Sequence, residues 1–147
     1  MLSSVELEAL VAFLNSGKAA YIEGNDFVRD HAATPLLPLA GCAFDSDGGN
    51  WYNGALGGLV GEEKSIAQGL SFDYLDEIEP NESCDVIRAT TGQLIFSSRN
   101  GKGRAVSYRG SAQRVIVSSF AFGALKDGAS TKKELMRRYL QFLTAPR

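Results

Sequence analysis

Apolar positions recur along this chain in two periods, and the change from one to the other marks its elements. Leu7, Leu10, Val11 and Leu14 fall three or four residues apart, the spacing that lines one face of a helix. Ser3, with Glu6 three positions on, is a capping box that starts this helix, and Gly17 suits the left-handed position that stops it. Ala19-Ala20-Tyr21-Ile22 then forms a near-unbroken apolar run, bounded by Gly17 and by Gly24-Asn25. That pattern predicts a short strand buried on both faces. A helix followed by such a strand is the second half of a βαβ unit. Its first strand is not in this sequence, so the rest of a parent chain or a second subunit is expected to cover the open sheet edge.

Thr34-Pro35 reads as a helix start with Pro in the first turn. Leu36, Leu37 and Leu39 supply its apolar side, Gly41 its end, and Cys42-Ala43-Phe44 a brief strand. Between Asn50 and Gly61 the chain is Gly-rich, with one short strand expected near 55–60. Trp51 and Tyr52 there read as pins holding the loop to the core. Its glycines lack the following Lys-Ser/Thr of a phosphate-binding loop. Ile66 to Leu70 gives one turn, and Phe72 and Tyr74 anchor the acidic connection 73–82.

The second half alternates more and is β-rich. Segments 84–89 and 93–97 flank Thr90-Thr91-Gly92 as an expected hairpin. Asn100-Gly101 is a strong hairpin signal, and 104–109 and 114–120 complete the strands. The β-branched run Val115-Ile116-Val117 predicts a central strand. Thr131 with Glu134 opens a closing helix whose apolar stripe is Leu135, Tyr139, Phe142 and Leu143. These elements predict one α/β domain over 1–147, three-layered, with a mainly parallel sheet flanked by helices.

Length and composition fit that picture. The chain has 147 residues, 44% hydrophobic and 22% charged, close to a soluble globular average. The net charge of −2 gives no basic field for nucleic acid, no apolar run is long enough to span a membrane, and this chain carries no signal peptide. Cys42 and Cys84 either form one disulfide or are two small buried residues.

Polar side chains gather where the first strand ends: Glu23, Asn25, Asp26, Asp30 and His31. The carboxyl ends of strands are where open α/β sheets bind ligands, so these five are the candidate ligand-binding residues, with a small molecule or carbohydrate as the ligand. Carboxylates and one imidazole suit a metal chemically, but the spacing matches no metal motif. Asp26 also suits a turn or cap. Glu23 reads as a carboxylate accepting backbone N–H groups of its own turn. His31 is the sole histidine, and neither cysteine sits on an elbow beside it. No catalytic residue, metal or cofactor is therefore assigned.

The opening helix, the 17–24 strand, the 34–44 segment, the Ile66-Ala67-Gln68-Gly69-Leu70 turn and Gly101-Lys102-Gly103-Arg104-Ala105-Val106 together resemble the class I glutamine amidotransferase-like superfamily. The likeness is to its ThuA-like branch and to accessory domains appended to secreted bacterial peptidases. The resemblance implies a flavodoxin-like or amidotransferase-like fold truncated at its N-terminus, and an extracellular or periplasmic setting. The superfamily's cysteine position carries Glu23-Gly24-Asn25 here, and no histidine follows His31. It thus implies a non-catalytic accessory or interaction domain of a larger, exported bacterial protein. The alternative is a hydrolase-type enzyme, or a fragment of one, using the Glu23 to His31 turn on a small ligand or metal.

Overall fold

A computed structural model describes residues 1–48, 56–74 and 84–146. Helix α1 (Ser4–Asn15) begins at a reciprocal capping box, in which Ser3 Oγ accepts from Glu6 N and Glu6 Oε2 accepts from Ser3 N at 2.9 Å. Strand β1 (Ala19–Glu23) follows, then two single-turn helices, α2 (Phe27–Asp30) and α3 (Leu36–Leu39). Next come β2 (Cys42–Ser46), β3 (Leu59–Gly61), β4 (Ser71–Tyr74), β5 (Val86–Ala89), β6 (Gln93–Ser98), β7 (Gly103–Arg109) and β8 (Arg114–Ser118). A 3-10 turn (Phe122–Ala124) leads into β9 (Leu125–Lys126) and the closing helix α4 (Lys132–Thr144). Thr131 caps α4 by accepting from Glu134 N at 3.2 Å.

Among the described residues, seven strands form one curled sheet in the order β1-β8-β7-β6-β3-β4-β9, and β2 pairs with β5 in a small second sheet. Among the described residues only β1 and β8 run parallel, with Ala19 opposite Arg114 and Glu23 opposite Ser118. The other pairings in both sheets are antiparallel. This overturns the expected three-layer α/β fold with a mainly parallel, helix-flanked sheet. The reason lies in the connections. Asn100-Gly101 and Gly110-Ser111 join β6 to β7 and β7 to β8 by tight turns, whereas parallel neighbours need a crossover of a dozen or more residues.

Two local expectations are also revised. β1 is an edge strand whose ends are exposed and whose middle is half-buried, so it is not a strand covered on both faces. The 84–89 segment does not form a hairpin with β6. The amides of Thr90 and Gly92 both donate to Gly41 O at 2.9 Å, which ties that turn to the end of α3 and sends β5 alongside β2. Trp51, Tyr52 and most of the acidic connection lie outside the described residues, whereas Phe72 and Tyr74 are buried.

Alternation along β8 divides the core in two. Val115 and Val117 pack with Leu14 of α1 and with Leu36 and Leu37 of α3. Ile116 faces the other way, into a cluster holding Phe96, Phe120 and, from α4, Leu135 and Tyr139. No described helix is long and apolar enough to cross a membrane.

Candidate functional site: a carboxylate cluster at the end of the first strand

The five residues expected to form one site are divided among three neighbourhoods. Period-two geometry sends Tyr21 and Glu23 to the same face of β1. There Glu23 Oε2 accepts from Tyr21 Oη at 2.6 Å and from Phe122 N at 2.9 Å. The Glu23 carboxylate does accept a backbone N–H, but from the distant 3-10 turn and not from residues 24–27. The Tyr21 ring packs on Tyr139, with ring centres 5.3 Å apart.

Asp30 and His31 belong to a second neighbourhood, beside α1. Asp30 lies 3.2 Å from the Met1 amino group. His31 is buried, packs its ring at a tilt against Phe27 with centres 4.8 Å apart, and accepts Leu2 N at Nε2, 3.3 Å away. Burial holds its pKa below the ordinary imidazole value, partly opposed by the Asp30 charge. An imidazole spent in this way is a packing group.

The third neighbourhood contains Asp26, together with residues the sequence did not single out. The carbonyl of Asn25 accepts Asp85 N at 2.8 Å, which joins the turn after β1 to the start of β5. The backbone of Gly48 passes so close to Cys84 that a Cβ there would sit 2.1 Å from the Cys84 carbonyl oxygen. Only glycine allows that approach, and it brings Asp47 to the same place. Beneath them Arg104 of β7, fully buried, donates from Nη1 to the carbonyls of Cys84 and Asp85 at 2.6 and 3.2 Å, and from Nε to Ser98 Oγ.

These contacts gather the carboxylates of Asp26, Asp47 and Asp85, with one oxygen from each all lying within 4.8 Å of one another. Asp85 Oδ2 accepts Arg29 N at 2.7 Å and so caps α2 from outside. Asp26, at the N-cap position itself, makes no side-chain cap hydrogen bond. The Arg29 guanidinium reaches Asp47 Oδ2 at 2.7 Å and Asp26 Oδ1 at 3.2 Å. Burial pushes Asp85 up to about 6, against the Arg29 N–H bond that favours its charged form. Asp85 was missed because it lies in the run Cys84-Asp85-Val86-Ile87. A carboxylate inside an apolar β-run was the signal available, since such groups are rarely buried without a purpose.

Nucleophilic chemistry finds no support among the described residues. Cys42 and Cys84 are free and buried, and burial pushes their thiols up to about 12 and about 11. A thiol so placed is inert at neutral pH, and no hydrogen bond joins either to His31.

No protein-family model matches the sequence, and neither does any curated protein. Solved structures with a similar fold include two that are informative. The N-terminal domain titled mmIFT52 aligns with a TM-score of 0.62 and 13% identity over 99% of this chain and 73% of that one. The exo-beta-1,4-mannosidase Op5Man5 from Opitutaceae bacterium strain TAV5 aligns with a TM-score of 0.57 and 13% identity over 96% of this chain. This chain spans 22% of the mannosidase chain. At such identity the likeness concerns the fold alone, and neither structure is titled as an amidotransferase-like or ThuA-like protein.

Proposed function

We propose that this chain is a non-catalytic accessory or interaction domain of a larger protein. The observation that carries this reading is the size of the fold against its neighbours. It corresponds to 22% of a mannosidase chain in one case and to a part titled an N-terminal domain in the other. The chemistry supports it too. Both thiols are buried without a base, the His31 imidazole is committed to Leu2 and Phe27, and Glu23 holds Tyr21 to the 3-10 turn.

Strand β1 offers the place for a partner. It pairs with β8 on one side and, among the described residues, ends the sheet on the other. A strand from the rest of a parent chain, or from a second subunit, would dock there by continuing the ladder.

Glu23→Ala tests the reading against a hydrolase that uses the end of β1. The expected result is a stability loss of about 1 kcal/mol in urea unfolding, as Phe122 N and Tyr21 Oη lose their acceptor. Ester, amide and glycoside substrates are expected to turn over at background rate with both proteins. A wild-type turnover that disappears in Glu23→Ala while melting is unchanged would overturn the proposal.

A further inference from the structure

We propose that Asp26, Asp47 and Asp85 form a binding site for a hard divalent cation, Ca²⁺ foremost, that clasps three separate segments of the chain together. The site goes beyond the accessory-domain reading and does not depend on it.

Proximity alone would not carry this, because acidic side chains often cluster on surfaces. The deciding group is Asp85. Its side chain is wholly buried, with 0% exposure. One oxygen caps α2, and the other, Oδ1, has no hydrogen-bond partner among the described residues. A buried carboxylate oxygen left unsatisfied costs free energy that a native structure ordinarily recovers with a partner. Asp26 Oδ1 also makes no hydrogen bond, but it is ion-paired with Arg29 Nη2 at 3.2 Å on a side chain that is 40% exposed. The orphaned oxygen is that of Asp85, whose carboxylate converges with those of Asp26 and Asp47.

The charges point the same way. Among the described residues, the three carboxylates meet one guanidinium by direct side-chain contact, that of Arg29, through Asp26 and Asp47. Arg104 reaches this place through the backbone carbonyl of Asp85, 3.2 Å away. A divalent ion would offset the excess negative charge that burial makes costly.

The donor set selects the ion. Three carboxylates supply only oxygen, which suits Ca²⁺, Mg²⁺ or Mn²⁺ over the softer metals. The three oxygens lie no more than 4.8 Å apart, so one ion reaches all of them with at most a small inward shift. Calcium, with its longer bonds and irregular coordination, asks less of that shift than Mg²⁺, which demands a near-ideal octahedron, and water would fill its remaining positions. The half-exposed Arg29 side chain has room to yield as the ion enters. With three protein side chains as ligands, the expected affinity is weak, with Kd about 10⁻⁴–10⁻³ M.

Calorimetric titration of chelator-treated protein with Ca²⁺ alone, together with melting curves across the same concentrations, tests this directly. Binding of one ion and a saturable rise in Tm are expected, with Mg²⁺ needing a higher concentration for the same rise. Asp85→Asn and the exposed-site variant Asp47→Asn should each weaken Ca²⁺ binding by about tenfold or more. The second variant keeps the test valid should the first fail to fold. No heat and no Tm rise with wild-type protein at about tenfold the upper Kd would overturn the site. An equal rise in Asp47→Asn and wild type would overturn it as well, because that is general salt stabilisation. Both readouts are independent of turnover, so failure here leaves the accessory-domain reading standing, and the reverse also holds.

Discussion

His31 shows how one side chain can be a plausible ligand in sequence and a packing group in the fold. Burial depresses its pKa below the usual 6.5, and its Nε2 must be unprotonated to accept Leu2 N. A group whose folded pKa is lowered contributes stability that is complete above the unfolded value and is lost as pH falls through the folded one. Between pH 7 and pH 5 the wild type should therefore lose more Tm than His31→Gln, whose amide does not titrate. Equal pH slopes for the two proteins would show that the imidazole carries no such linkage. The site residues were legible to different degrees for reasons of locality. Glu23 and Asp26 stand out because they follow an apolar run directly. Asp47 and Asp85 acquire meaning only once Gly48 and Cys84 are in contact, which no local pattern encodes.

At the scale of elements, the turn at Gly41 carries more than the end of a short helix. Its φ is +68°, and an added Cβ would lie 2.6 Å from Tyr108 Cδ2 and 2.7 Å from Gly92 N. Gly69 has a similar φ of +78° with nothing within 4 Å of such a Cβ. Gly69→Ala should thus cost only the backbone term, about 1 kcal/mol. Gly41→Ala adds a clash with backbone and ring, for a total of about 2–4 kcal/mol. Denaturant unfolding of the two variants side by side measures the difference, and equal losses would deny Gly41 its packing role. The capping box at Ser3, the Thr131 side-chain cap and the Asn100-Gly101 turn were readable because each is decided within a few residues; the reciprocal half of a box at Thr131 does not form, since the Glu134 carboxylate accepts from Arg137 and Arg138. The partner of β5 was not. Nothing in residues 84–97 reveals that Gly41 will take the amides of the turn between them.

The whole molecule corrects the sequence reading most where strands choose partners far away. A buried, β-branched run such as Val115-Ile116-Val117 is found centrally in parallel and antiparallel sheets alike, so its composition could place β8 inside the sheet without fixing strand direction. Among the described residues the one parallel pairing, of residues 19–23 with 114–118, also implies an order of assembly. Strands β6, β7 and β8 can zip through turns of a few residues, while β1 has nothing to join until β8 exists, most of the chain later. Within this stretch of chain, α1 and β1 are made before β8 and would be secured only after it. Pulse-labelled hydrogen exchange during refolding should find the β6–β8 amides protected before that of Gly24, which donates to Ser118 O; simultaneous protection would mean that the first strand is captured as early as the hairpins form.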